Sequence, residues 1–185
     1  DDVSINVRQG EVVGIYGLMG AGRTELAMSI FGRSYGIGIS GTLKLKGKEV
    51  VLRSPKKAIE AGLAYVTEDR KGNGLVLTNS IKTNTTLANL AAVSKATFID
   101  KDREYQVAEE YVAKLRTKTP SVEQLVGNLS GGNQQKVLLA KWMFADPDVL
   151  ILDEPTRGID VGAKYEIYCI INDLAKAGKS VIMIS

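Results

Sequence analysis

The chain has 185 residues, 44% of them hydrophobic and 24% charged, with 24 basic against 21 acidic side chains and a net charge of +3. That length and mix fit one ordinary globular domain with a real core, and the charge is too mild to argue for a nucleic-acid partner. The sequence has no histidine and a single cysteine, Cys169, which excludes a Ser-His-Asp triad, a Cys-His pair, a histidine-ligated metal, an internal disulfide and a cysteine zinc cluster.

Taken in order, "VSINV" and "EVVGIYG" predict an edge strand, a turn at Gln9-Gly10 and a buried strand that feeds a glycine loop. "RTELAMSIF", 23–31, predicts a short helix stopped near Gly32, and "GTLKLKGKEVVL", 41–52, a hairpin around Gly47. A short helix then leads into a buried strand at "AGLAYVTE", 61–68. From Ser80 to about Ala145 the pattern turns helical. In "KDREYQVAEEYVAKLR" one apolar face holds Ala108, Tyr111, Val112 and Leu115, with Glu110 and Lys114 in the favourable order four apart. "DVLIL", 148–152, and "SVIMIS", 180–185, read as buried strands flanking a helix over 163–178 that faces the core with Ile167, Ile170, Ile171 and Leu174 and stops at Gly178. Strand–loop–helix units on either side of a helical insertion predict an α/β fold: a core over 1–79 and 146–185 with a mostly parallel sheet and a small antiparallel β part, and a helical subdomain over 80–145. No apolar run approaches the roughly 18 residues that span a bilayer and no signal peptide pattern opens the chain, so a membrane role would run through a partner. An end directly after a buried strand predicts that the chain is a piece of a larger domain.

Three motifs carry chemistry. Gly17 to Thr24 reads G-x-x-x-x-G-R-T, a phosphate-binding loop with arginine at the lysine position. Gly17, Gly20 and Gly22 would let the backbone approach a phosphate, the next helix would offer its positive end, and Thr24 could place a hydroxyl on Mg²⁺. Arg23 keeps the charge but replaces a compact ammonium with a planar fork. The competing reading is a tight, ligand-free strand-to-helix turn. "VLILDEPT", 149–156, ends an apolar strand in Asp153 and Glu154: a carboxylate for Mg²⁺ through water and a base for an attacking water, or surface acids at a proline turn. "LSGGNQQKV", 129–137, makes Ser130 a helix N-cap with Gly131 and Gly132 leaving that end uncovered: a second anion-binding helix end or a capped surface helix.

One nucleotide rarely needs two such ends from one chain. Gly17–Thr24, Leu129–Lys136 and Leu150–Asp160 together resemble the nucleotide-binding domain of ATP-binding-cassette (ABC) transporters, a P-loop NTPase fold, over essentially the whole chain. The resemblance implies two cassettes sandwiching two ATP molecules with Mg²⁺. Gly17, Leu18, Met19, Gly20, Ala21, Gly22, Arg23 and Thr24 would hold this chain's own nucleotide. Leu129, Ser130, Gly131, Gly132, Asn133 and Gln134 would face the partner's. "GLMGAGRTEL", "VTEDRKGNGL", "LSGGNQQKV" and "LDEPTRGIDVGAKYEIY" narrow the likeness to the carboxy-terminal cassette of bacterial tandem-cassette monosaccharide importers. That implies transmembrane permease partners, an indirect sugar-binding protein, and a peripheral place on the cytoplasmic face of the inner membrane.

The resemblance also assigns Glu154 the role of base, places Thr24, Asp153 and Glu68 toward Mg²⁺, and puts Asp160 at the loop that crosses to the partner, a role compatible with capping the helix after it. Glu68 stands where most cassettes carry glutamine, and a carboxylate there would repel the γ-phosphate. The rest of "TEDRKGNG" reads as a solvated turn and Arg157 as a surface residue. The family's switch histidine would fall after Ser185 and its adenine-stacking aromatic before Asp1. Arg23 and Glu68 together predict a degenerate site that binds Mg·ATP and turns over slowly, with weak or no turnover by the chain alone. The competing functions are a regulatory nucleotide-binding half that never hydrolyses and a soluble, non-transport ABC ATPase. The short, cysteine-free interval from Thr24 to Leu129 disfavours the latter.

Overall fold

The computed structural model describes residues 3–18, 20–32 and 38–185. The chain enters through Val12–Ile15 (β1) and Arg23–Ile30 (α1). Leu43–Leu45 (β2) and Lys48–Val50 (β3) pair as the antiparallel hairpin predicted around Gly47. Pro55–Glu60 (α2) precedes Leu63–Val66 (β4). A π-helical turn spans Arg70–Gly74, followed by Ile81–Thr86 (α3) and a 3-10 stretch, Leu87–Val93. Ser94–Lys95 (β5) and Phe98–Ile99 (β6) form a two-stranded antiparallel ribbon. Lys101–Lys114 (α4), Gly131–Phe144 (α5), Val149–Asp153 (β7), Val161–Lys176 (α6) and Ser180–Ile184 (β8) complete the order.

β1, β8, β7 and β4, in that order, make one four-stranded parallel sheet. Its central strands read as unbroken apolar runs because both faces are covered, as parallel sheets require. Leu150, Ile151, Leu152, Val181 and Ile184 are all at most 1% exposed. One apolar cluster runs from β4 and β7 through Val137, Leu138, Leu139 and Trp142 of α5 to Ile81 of α3 and to Ile167 and Ile171 of α6. A smaller one beneath α1 joins Ala27 to Ile151, Ile182 and Ile184. Among the described residues no helix is long and apolar enough to cross a membrane.

Several expectations change. Residues 3–7 form no strand, and Val3 is 57% exposed. β1 is a half-exposed edge strand rather than a buried one, because among the described residues β8 is its only neighbour. The stretch from Ser80 to Ala145 is broken twice: by the β5–β6 ribbon, which is too short to show an alternating pattern, and by the turns between α4 and α5, which hold no helix but the 3-10 turn Val126–Asn128. On α4 the buried set is Glu104, Val107 and Ala108, with Leu115 buried just beyond it, while Tyr111 and Val112 pack only partly. Glu104 tolerates burial by accepting a hydrogen bond from Thr86 at 3.1 Å, with the Lys82 ammonium 3.9 Å away. Lys114 sits over the Tyr111 ring, 5.4 Å from its centroid, rather than beside Glu110.

Leu138 is fully buried in the cluster that joins sheet to helices. Leu138→Ala is expected to lower unfolding free energy by about 2–5 kcal/mol, read from urea melts. Phe98→Ala, at a side chain 79% exposed, should move the midpoint little.

Candidate functional site

Among the described residues, five of the six α-helices start with a side-chain cap: Ser54, Ser80, Asp100, Ser130 and Asp160 each accept from a backbone N–H three residues on. α1 is the exception. It starts after Gly22, whose φ of 80° and ψ of 15° lie in the left-handed region that glycine enters without penalty, and no side chain caps it. The loop from Gly17 delivers the chain to this uncapped end, tightened by an Ala21 N–H bond to the Leu18 carbonyl at 3.1 Å. Gly20 is exposed, Thr24 is half-buried on the first turn, and Met19 lies outside the described residues. An uncapped helix start under a glycine loop is the arrangement that receives phosphate.

Arg23 does not point into that loop. Its Nη1 donates to the Ser185 carbonyl at 2.5 Å and lies 3.9 Å from Oε1 of Glu154. The stem runs beneath Gly17, where an added Cβ would meet Cδ at 3.5 Å.

Asp153 ends β7 fully buried. Its Oδ2 accepts from the Tyr65 hydroxyl at 2.8 Å, and its Oδ1 is buried with no hydrogen-bond partner. Burial, then the bond to Asp153, pushes the Tyr65 phenol above its usual range. A buried carboxylate oxygen without a donor is costly, and a cation or its water shell would satisfy it. No group of three His, Cys, Asp or Glu side chains among the described residues could hold a metal by itself. The orphaned Asp153 oxygen fits Mg²⁺, which takes one or two carboxylates and fills its shell with water and substrate phosphates. Asp153 with the Thr24 hydroxyl therefore suits it. Glu154 follows with φ at 44°, a left-handed conformation that costs on the order of 1–3 kcal/mol for a side-chain-bearing residue. Its N–H bonds the Ile184 carbonyl at 3.0 Å, and the kink directs the carboxylate toward Arg23.

Glu68 forms an ion pair with Arg157, so the carboxylate at this position carries its own counter-charge. Both side chains are partly exposed, so the pair contributes at most about 1 kcal/mol and acts mainly through charge neutralisation. Arg70 was not anticipated from the sequence, where it reads as part of a solvated turn. It donates to the carbonyls of Arg157 at 2.9 Å and Gly158 at 3.4 Å, with Nε 3.5 Å from Oε1 of Gln134. It thereby ties the segment after Glu68 to the loop after Glu154 and to α5. An arginine inside a turn gives no sequence signal for this.

Ser130 is exposed at the start of α5 and its Oγ accepts from the Asn133 side-chain amide at 3.0 Å. Gly132 is required by crowding, because a Cβ there would lie 2.5 Å from Cβ of Ala163; at Gly131 a Cβ would meet Nη2 of Arg70 at 2.9 Å and the Gly158 carbonyl at 3.2 Å, so the arginine tip would have to move. Leu129 is half-buried against the core. Gln134 departs from the expectation that it faces outward with Ser130: it is buried, and its amide donates to the Val126 and Leu129 carbonyls, each at 3.2 Å. Asp160 caps α6 by accepting from the Ala163 N–H at 2.9 Å. Ser130, Asn133 and Asp160 share a cavity of about 180 Å³ with Lys118, Lys136 and Glu166. No described residue of the 17–24 loop lines it, so the two helix starts do not share a pocket. Lys136, missed by the sequence reading, is 2% exposed and donates to the Arg116 carbonyl at 2.8 Å while pairing with Glu166 at 2.7 Å. That hydrogen bond holds the Glu166 carboxyl below its usual range.

A family model described as "ABC transporter" matches residues 1–157. The L-arabinose transport ATP-binding protein of Geobacillus stearothermophilus is 59% identical over the whole chain, and the xylose import ATP-binding protein of Thermoanaerobacter pseudethanolicus 54%. The ribose import ATP-binding protein of Clostridium tetani is 49% identical, again over the whole chain. The chain spans about 36% of the length of each of these relatives. Among solved structures, a nucleotide-free ATP-binding cassette from an ABC transporter superposes with a TM-score of 0.84 at 20% identity, covering all of this chain and 74% of that one. A cassette in a dimeric post-hydrolysis state bound to ADP and Pi gives 0.80 at 19%, covering all of this chain and 78% of the other. With the glycine loop, the acidic strand end and the Ser130 helix start all in place, the chain belongs to the ABC transporter family and has the α/β P-loop fold of its ATP-binding cassettes.

Proposed function

We propose that this chain is one ATP-binding cassette of a longer tandem-cassette polypeptide that energises import of a small sugar through a membrane permease. The observation that carries the reading is the separation of two helix starts: an uncapped one under the glycine loop at Gly22, and an exposed one at Ser130 whose cavity no described residue of the loop lines. The phosphates of one ATP would rest on residues 17–24. Mg²⁺ would be held by the Thr24 hydroxyl and Asp153, with Glu68 facing its water shell, and would spread the charge of the transferring phosphoryl group. Glu154 would orient and deprotonate the attacking water. Leu129–Asn133 and Asp160 would meet the nucleotide and loops of a second cassette. Gln134, turned inward, would act by holding the Ser130 end in place. The named relatives, all sugar transport or import ATP-binding proteins, support a sugar as the cargo; permease subunits and an associated sugar-binding protein would be the partners of that role. A peripheral place on the cytoplasmic face of the inner membrane follows from that role.

Both departures from the family pattern bear on rate. The Arg23 contact with Glu154 neutralises the base and withdraws the cation from the loop. The Arg157 partner of Glu68 offsets the repulsion a carboxylate would exert on the γ-phosphate. Phosphoryl transfer depends on positioning and charge stabilisation, so the site would bind Mg·ATP and turn it over slowly. The Arg23–Glu154 contact favours, as a second reading, a regulatory half that binds without hydrolysis.

In the full-length polypeptide, Arg23→Lys combined with Glu68→Gln is expected to raise single-turnover hydrolysis at this site about tenfold. A site that binds ATP yet shows no single-turnover hydrolysis before or after the changes is the regulatory half. Ser130→Arg is expected to cut hydrolysis at the opposite site about 100-fold while ATP still binds at residues 17–24. An unchanged rate there would remove the trans role. The chain by itself should bind nucleotide weakly, with negligible steady-state turnover in a phosphate-release assay.

A further inference from the structure

The geometry points to Tyr65 as a positioning residue for the divalent cation: its hydroxyl grips one oxygen of Asp153 and thereby aims the other at the metal. This rests on the proposed Mg·ATP site and adds a residue to it.

β4 and β7 run parallel with Tyr65 in register with Ile151. Alternate residues of a strand share a face, so Asp153 lies on the face of Ile151, two residues farther along, at about 7 Å. A side chain that bridges that step must be long and must end in a donor, and Tyr65 meets both needs at 2.8 Å. The phenol is held in turn by packing, its ring 5.7 Å from that of Phe31. The Asp153 carboxylate is fully buried, with Oδ2 engaged by Tyr65 and Oδ1 lacking any partner. A carboxylate fixed at one oxygen cannot rotate the other away, so Oδ1 is presented in one direction at no further conformational cost. Ligands of a metal are commonly oriented in this way by a hydrogen bond from behind, and loss of such a partner costs roughly 10–100-fold in metal affinity or activity. Phenylalanine at this position would keep the shape and the Phe31 contact and remove only the donor.

The test uses the full-length polypeptide with any second nucleotide site disabled by substitution in its own phosphate-binding loop. Binding of a fluorescent ATP analogue is titrated against Mg²⁺, and separately measured in EDTA. Tyr65→Phe is expected to raise the Mg²⁺ midpoint about tenfold and to leave EDTA binding unchanged. Bound Mn²⁺ followed by electron paramagnetic resonance should shift in parallel. Asp153→Asn removes the oriented carboxylate, so Tyr65→Phe added to it should move the midpoint no further; that pair keeps the test decisive where Tyr65→Phe alone lowers stability. An unmoved midpoint in Tyr65→Phe, equal losses with and without metal, or a further rise on the Asp153→Asn background would each overturn the inference. Absence of Mg²⁺-dependent binding by the unsubstituted protein would overturn the proposed function as well, so the two failures are distinct.

Discussion

Everything at the site descends from the register of β8 against its two neighbours. Ile184 stands opposite Ile15 on one side and Asp153 on the other, so the glycine loop and the acidic turn leave the sheet at the same level. The Ile184 carbonyl accepts from the Glu154 N–H, and the Ser185 N–H donates to the Ile15 carbonyl. A third ladder matters as well: a slip of one residue between β4 and β7, where Tyr65 stands opposite Ile151, would put Tyr65 and Asp153 on opposite faces. Ligand sites in open parallel sheets form outside the carboxyl ends of the strands, and here Gly17, Glu68, Asp153 and Ser185 all lie there. The buried Leu, Ile and Val side chains of β7 and β8 hold that register by their packing, which is how an apolar core fixes a polar site.

Charge is arranged on that frame in pairs. Arg23 with Glu154 and Glu68 with Arg157 place opposite charges beside one another where a phosphate would enter. Each pair is partly exposed, so neither is a large stabilising element in itself. Their weight lies in competition. A nucleotide brings several negative charges into the loop and would compete with Glu154 for Arg23, and turnover stays slow to the extent that Glu154 keeps that partner. The left-handed backbone at Glu154 is a strained conformation at the residue that holds this contact.

Local pattern made much of this legible. The apolar runs of β4, β7 and β8, the hairpin at Gly47, the stops at Gly32 and Gly178, and the caps at Ser130 and Asp160 are each written within a few neighbouring residues. The sequence reading missed what depends on residues far apart in the chain. Tyr65 looks like one more apolar strand residue until Asp153, 88 positions later, is beside it. Arg70 reads as a turn arginine until the carbonyls of Arg157 and Gly158 meet it. Lys136 and Gln134 sit in a polar-looking helix start, yet both are buried because α5 presses against the rest of the chain. The burial of β1 was overestimated for the same reason, since an apolar run does not reveal how many strands lie beside it.

The two ends of α5 show how the fold divides labour. From Gln134 onward nearly every side chain is buried, and the charged one among them, Lys136, is tied to Arg116 and Glu166. The last turn reaches the surface through Lys141, Met143 and Phe144, and the first turn does so through the exposed Ser130 cap and the half-buried Gly131 and Asn133. Gly132 lets that turn press against Ala163 of α6, and Gly131 lets it pass Arg70, so the Ser130 cap and the Asp160 cap are carried on one rigid pair of helices. A group that must meet another molecule gains most when its own position is fixed before contact, because little ordering entropy is left to lose. Glycine at 131 and 132 serves that end through close packing of backbone and side chains, independently of any role in leaving room for a nucleotide.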